Sequence, residues 1–284
     1  MDIAFLNGNY QPKNEIKISP DDRGFLFADG IYEVVRWYQG DFFDMEGHLA
    51  RLKRSLREVR ISWPEADLFP DISLQLIKRN SLEGKPALVY IQVTRGAVPR
   101  AHAFPSPEVS PTVYAFAKGF DPAPEKVAAG IGVIMKKDIR WSRCDIKSVS
   151  LLPNVLSFQE AVETGNNECI FVRDGRITEC SHSNVFIVID NILYTHPESD
   201  NILSGISRKN VIRIAKKAGI DVRETAVNEK DIEKAEEVFI SNTSSEVGPV
   251  ISINGKKVGT GKPGVMTMKL KALFNEETAT LRKF

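Results

Sequence analysis

Lys147 lies in the stretch Ile139 to Leu152 (IRWSRCDIKSVSLL), and Glu179 follows 32 positions later in RITEC, just ahead of Ser183-Asn184. A lysine that condenses with a carbonyl must give up its proton, and apolar surroundings ease this because desolvation disfavours the ammonium form. If the segment is extended, Lys147 shares a face with Val149 and Leu151. A carboxylate opposite the nitrogen of a pyridine ring keeps that nitrogen protonated and the ring an electron sink. Glu179 is the candidate, and the pair reads as a pyridoxal phosphate site. Residue types alone leave another reading open, a solvated lysine and a surface glutamate in a hairpin.

A cofactor phosphate needs backbone donors, hydroxyls and usually an arginine. In Leu203-Ser204-Gly205-Ile206-Ser207, the glycine admits close backbone approach, Ser207 can donate, and the helix expected to follow offers free N–H groups. An ordinary serine N-cap fits the same residues. Ser241-Asn242-Thr243-Ser244-Ser245 concentrates hydroxyl and amide donors in one turn, although a plain polar loop has the same composition. Arg51 lies off the stripe Leu49, Leu52, Leu56 and Val59 of its expected helix, so periodicity alone makes it a solvated residue. Cys180 and His182 are two apart, but no second pair at metal spacing accompanies them.

These residues need a scaffold, and 284 residues with 42% hydrophobic and 26% charged content suffice for one large or two ordinary domains. A net charge of +1 with interspersed signs gives no basic face, which argues against nucleic acid or anionic membrane as partners. No leader pattern or membrane-span length of apolar residues is visible, so a cytoplasmic chain is expected. Three cysteines without a CxxC pair read as reduced and mostly buried. Asn7-Gly8 and Gly40-Asp41 mark hairpins, helices are expected over Leu49–Val59 and Leu74–Leu82, and strands over Ala87–Thr94 and Thr112–Ala117. The intervening loop Gly96 to Pro111 reads as a long, structured connection. After the glycine- and proline-rich KGFDPAPE come strands near Ile131–Lys136, Cys169–Arg173, Arg176–Cys180, Val185–Ile189, Ile192–Thr195, Asp221–Val227 and Glu237–Ile240. Helices are expected from Pro153, after Ser207 and from about Pro263. The expected class is α+β with mixed or antiparallel sheets: a small domain over 1–118, a linker over 119–124, and a larger domain over 125–284 carrying Lys147. Neither GxGxxG nor GxxxxGK[ST] is present.

The motifs DDRGFLFADGIYEVVR, HLARL, QVTRG, RAHAFP, DIRWSRCDIKSVSLL, ITECSHSNVF, LYTHP and SNTSSE follow one another in an order that resembles the fold type IV pyridoxal phosphate enzymes over nearly the whole chain. Within them, DIRW-RCDIKS with the RAH triplet looks like the D-amino acid aminotransferases rather than the branched-chain aminotransferases or aminodeoxychorismate lyases. The resemblance implies two α/β domains with the cofactor in the cleft between them. It makes Lys147 the Schiff-base lysine, Glu179 the partner of the ring nitrogen and Arg51 a phosphate ligand. Ile206, Ser207, Asn242 and Thr243 complete the cup, and Leu203 packs on the ring. Arg100 and His102 would form a carboxylate trap, with Tyr32 beside them, lent by the neighbouring subunit of a homodimer. The implied reaction is ping-pong transamination between D-amino acids and 2-oxo acids such as 2-oxoglutarate or pyruvate. Branched-chain L-aminotransferase, (R)-amine transaminase, lyase and non-catalytic binding protein are the alternatives. Asn242 stands where relatives tend to carry a hydroxyl, and His182 where a small hydroxyl residue is usual. Arg36 is read either as a positive charge near an acidic substrate or as a salt-bridged surface residue.

Overall fold

The computed structural model describes residues 2–122 and 129–283, which divide into two compact units. The first comprises Met1–Asp121 with Ile146–Ser150 and Thr278–Phe284. Its elements are β1 (Ile3–Leu6), β2 (Asn9–Pro12), α1 (Arg23–Phe27), β3 (Gly30–Tyr38), α2 (Met45–Glu58), α3 (Phe69–Arg79), β4 (Pro86–Thr94) and β5 (Thr112–Gly119). They build an antiparallel sheet in the order β2-β1-β5-β4-β3. Asn7 and Gly8, both at positive φ, close the β1–β2 hairpin, the backbone an Asn-Gly pair adopts most readily. Leu52 and Leu56 of α2 and Phe69, Ile72 and Leu76 of α3 share a core with Val35, Val89, Ile91 and Val93 of the sheet.

Ile146–Ser150 belongs to this first unit, whereas the sequence reading placed Lys147 in the second domain. The reason is edge pairing along β3. Tyr32 N–H donates to the Lys147 carbonyl at 3.0 Å, Val149 N–H donates to Gly30 O at 3.0 Å, and Ile146 joins the first core. A short segment whose partner strand is over a hundred residues away leaves no local trace of that pairing.

The second unit comprises Pro122–Asp145 and Leu151–Glu277. It contains β6 (Ile131–Lys137), α4 (Leu152–Glu163), β7 (Glu168–Arg173), β8 (Arg176–Cys180), β9 (Asn184–Ile189), β10 (Ile192–Thr195), α5 (Ile206–Lys217), β11 (Val222–Glu224), β12 (Glu237–Asn242), β13 (Glu246–Ile253), β14 (Lys256–Lys257) and α6 (Val265–Ala279). The sheet runs β11-β10-β9-β12-β13-β6-β7-β8 and is mixed, with β6 parallel to both β13 and β7. Central strands β9 and β12 stack Phe186 on Phe239 with centroids 4.7 Å apart. β13 has no counterpart among the expected strands, and β11 is shorter than Asp221–Val227. Residues 123 and 124 of the expected linker, and 125–128 of the expected second domain, lie outside the described residues. The three cysteines are free and buried. Among the described residues, no helix is long and apolar enough to cross a membrane.

Candidate active site

In the first unit the chemistry gathers along β3. The Lys147 ammonium nitrogen stands 4.2 Å from the centroid of the Tyr32 ring, which stacks on Tyr90. Strand alternation sends Glu33 to the opposite face, where it is fully buried. There its carboxylate accepts from Arg51 Nε at 2.7 Å, Arg51 Nη2 at 2.9 Å and His48 Nδ1 at 2.8 Å. His48 and Arg51 are three apart on α2 and therefore share a face. Arg51 is not the solvated residue that periodicity suggested, because Glu33 draws it inward. Burial pushes the Glu33 carboxyl up, but Arg51 and His48 more than offset this and hold it well below the usual carboxylate range. Burial also lowers His48, against the pull of Glu33, so its imidazole is neutral.

Arg100 and His102 are exposed on the loop between β4 and β5, and both flank Phe27, at 5.0 and 5.4 Å. The loop is anchored, in keeping with its reading as a structured connection. Asp29 accepts from Arg23 Nε at 2.8 Å and from Arg95 Nε and Nη2 at 2.8 and 2.9 Å, while Arg23 also donates to Ala101 O and Arg95 lies 3.5 Å from the Phe104 centroid. Burial raises the Asp29 carboxyl, and the two arginines more than reverse this. Within one chain, the ring neighbours of Tyr32 are Lys147 and Tyr90, whereas Arg100 and His102 meet Phe27. Arg36 is neither a surface residue nor in open solvent. It is 5% exposed, with its guanidinium over the rings of Tyr38 and Phe120.

In the second unit Glu179 projects from β8 and is buried. Its carboxylate accepts from Arg140 Nη1, from Asn184 Nδ2 at 3.0 Å and from the Leu203 backbone N–H at 3.0 Å. Burial pushes it up to about 7 against the opposing charge of Arg140. Arg140 is itself gripped by Asp138 through Nε at 3.0 Å and Nη2 at 2.9 Å, and donates to Asn201 O. Asn184 Nδ2 also donates to Leu203 O, and a Cβ at Gly205 would sit 2.1 Å from Asn184 Oδ1. Glycine is therefore what lets the start of α5 approach Asn184. The helix begins at Ile206 with Gly205 as N-cap, so buried Ser207 lies inside the first turn and is not the cap. The N–H groups of that turn have no intrahelical acceptor.

Asn242, at the end of β12, builds the turn that carries Thr243. Its Oδ1 accepts from Ser244 N–H and Ser245 N–H at 2.9 and 2.6 Å, and its Nδ2 donates to Ser183 Oγ at 2.8 Å. Ser183 in turn donates to Glu168 at 2.9 Å. Glu168 is fully buried and also receives Cys169 N–H and the N–H and hydroxyl of Ser181. His182 pairs with Glu168 at 3.0 Å and packs edge-on against Phe158. Burial raises the Glu168 carboxyl, and His182 with the surrounding donors brings it below its ordinary value. Ser241 Oγ is buried with no hydrogen-bond partner among the described residues.

Glu33, His48, Arg140, Asn184 and Glu168 were given no role from the sequence. A signal existed for Glu33, a carboxylate inside the apolar run GIYEVV, and for Arg140 in the quoted DIRW motif.

Residues 30–253 match the class IV amino-transferase family, and the chain belongs to that family. It is similar to a D-alanine aminotransferase from Staphylococcus haemolyticus, 41% identical over 278 residues that cover 97% of this chain and 98% of the relative. Among solved structures it is similar to the branched-chain amino acid aminotransferase of Escherichia coli, with a TM-score of 0.91, 25% identity and coverage of 99% and 96% of the two chains. The T.th. branched-chain amino acid aminotransferase complexed with N-(5'-phosphopyridoxyl)-L-glutamate is also similar, with a TM-score of 0.88, 25% identity and coverage of 99% and 95%. The chain is a transaminase of fold type IV, and pyridoxal phosphate is its cofactor. The residues present fit that group. A carboxylate offers about four acceptor sites, and three donors occupy those of Glu179, so one remains for a ring N–H. The unpartnered Ser241 hydroxyl and the first turn of α5 supply donors of the kind a phosphorylated pyridine needs.

Proposed function

We propose that the protein transfers amino groups between D-amino acids, of the D-alanine and D-glutamate type, and 2-oxo acids such as 2-oxoglutarate and pyruvate, acting as a cytoplasmic homodimer. The observation that carries this reading is the exposed pair Arg100 and His102 on a loop fixed by the Asp29 ion pairs, in a chain similar to a D-alanine aminotransferase. Pyridoxal phosphate supplies a carbonyl that condenses with amines and a ring that withdraws electrons from the substrate carbon.

The chain's own residues bind, orient and move protons. Lys147 is the catalytic residue: its amine would hold the cofactor's carbonyl carbon and would carry the proton at the substrate carbon. Tyr32, under the Lys147 nitrogen, limits the directions the amine can take. Glu179 accepts the ring N–H, with Arg140 and Asn184 fixing its carboxylate. Leu203 supports the ring face. Arg51, the backbone at Ile206 and the hydroxyls of Ser207 and Thr243 hold the phosphate, and Asn242 holds the turn on which Thr243 sits. Arg100 grips the substrate carboxylate as a fork with His102 beside it, and together with Tyr32 this sets which face of the substrate meets Lys147.

The exposure of Arg100 and His102, which makes them available to the site of a second copy, supports the homodimer. Leu152, Val155 and Leu156 of α4 are exposed apolar residues of the kind a partner copy would cover. The likeness to branched-chain aminotransferases favours a second reading, L-amino acid transamination, which would not use Arg100 and His102. The test is chiral analysis of the glutamate formed from 2-oxoglutarate with D-alanine or with L-leucine as donor. D-glutamate from D-alanine is expected, with kcat/KM falling about a hundredfold in Arg100→Ala, the loss of a charge-assisted bidentate contact. L-glutamate formed only from L-leucine would transfer the assignment to the second reading.

A further inference from the structure

Glu33 is a fully buried charge that the proposed reaction does not use. A buried ion pair seldom adds stability over apolar residues of similar volume, so the fold alone gives little reason for it. Its geometry gives one. Glu33 Oε1 and Oε2 take Arg51 through Nε and Nη2, a two-point contact that fixes the plane of the guanidinium and removes the freedom of its long stem. His48 Nδ1 holds Glu33 Oε2 in turn. Because Glu33 is ionised and burial keeps His48 neutral, the Nδ1–H tautomer must be the donor, so the carboxylate cannot rotate without breaking a bond from α2.

We infer that Glu33 is a positioning residue that aims Arg51 at the cofactor's phosphate and so sets the preference for phosphorylated over unphosphorylated cofactor. This rests on the reading of Arg51 as a phosphate ligand. A guanidinium held in one plane loses little freedom on meeting a phosphate, whereas an untethered one loses much of it.

The test compares equilibrium titrations of the full-length apoprotein with pyridoxal phosphate and with pyridoxal in phosphate-free buffer, read by the visible absorbance of the bound cofactor. In Glu33→Gln, which keeps the volume but sets an amide against the arginine donors, pyridoxal phosphate affinity should fall about tenfold or more and pyridoxal affinity by less than about threefold. Equal losses for both would mark a merely structural role and overturn the inference, as would unchanged pyridoxal phosphate affinity. Should Glu33→Gln fail to fold, Glu33→Asp is read for the same ratio, since a shortened carboxylate retains the charge but not the two-point contact. Arg51→Met is titrated alongside. If it keeps the wild-type ratio, the phosphate reading of Arg51 and the inference fall together. If it loses the ratio and the Glu33 variant keeps it, only the role of Glu33 falls.

Discussion

Replacing Arg140 by methionine should cost the apoprotein about 3 kcal/mol of apparent stability. Arg140 joins two buried carboxylates, Asp138 through two bonds and Glu179 through one, and caps Asn201 O. Removing one member of such a buried network typically costs about 3–5 kcal/mol, because it strands charge in a poor solvent. Two features put the expectation at the lower end. Asp138 keeps Arg173 at 3.0 Å, and Glu179, already raised to about 7 by burial, can relieve itself by taking up a proton. At about 2–4 °C per kcal/mol for a chain of this size, the melting temperature should fall by about 6–12 °C. Thermal unfolding by circular dichroism, in wild type, Arg140→Met, Glu179→Gln and the double variant, completes a cycle. The cost of Arg140→Met should be about 1–2 kcal/mol smaller in the Glu179→Gln background, where no charge is left to strand. A cost below about 1 kcal/mol, or one independent of residue 179, would refute the claim that Arg140 supports the Glu179 carboxylate.

Further outcomes follow from individual contacts. Lys147→Ala should abolish attachment of the cofactor on borohydride reduction, seen by mass spectrometry of the peptide, and lower turnover by about 10⁴-fold or more. Gly205→Ala places a Cβ 2.1 Å from Asn184 Oδ1 and should cost about 1–3 kcal/mol by displacing a support of Glu179; an unchanged melting temperature would contradict that packing. Burial lowers the pKa of His48 in the folded state, so its contribution is present above the ordinary value of about 6.5 and is lost as the pH falls below it. The advantage in melting temperature of wild type over His48→Gln should therefore shrink from about pH 7.5 to about pH 5. Glu179 behaves oppositely. Its raised value favours the folded state in acid and opposes it as pH rises towards about 7, so the advantage of wild type over Glu179→Gln should grow as the pH falls.

What could be read from the chain, and what could not, divides along physical lines. Lys147 and Glu179 drew attention through residue type and flanking motif, and the structure places Lys147 beside the Tyr32 ring and Glu179 among buried donors. The Asn7-Gly8 turn and the strands Arg176–Cys180 and Ile192–Thr195 were legible because turn residues and alternation are local signals. β13 was not, because Gly248 and Pro249 interrupt a pattern that only its neighbours β12 and β6 complete. Arg51 was hidden from periodicity, which reads a charge off the apolar stripe as solvated and cannot see a carboxylate such as Glu33 arriving from elsewhere to receive it. Of the two readings of Arg36, the surface one fails because the rings of Tyr38 and Phe120 cover its guanidinium. The start of α5 was placed after Ser207 because serine is a good N-cap; the close approach of Asn184 gives that position to Gly205.

The most direct test of D-amino acid transamination is a single half-reaction. The purified protein loaded with pyridoxal phosphate is mixed in a stopped-flow instrument with D-alanine or L-leucine, and the cofactor's visible band is followed. Rapid loss of the band with D-alanine, little change with L-leucine, and a slowed response in Arg100→Ala that keeps its colour are the predicted results. Loss of the band with L-leucine alone would contradict the account of Arg100 and His102 while leaving Lys147 and Glu179 in their roles.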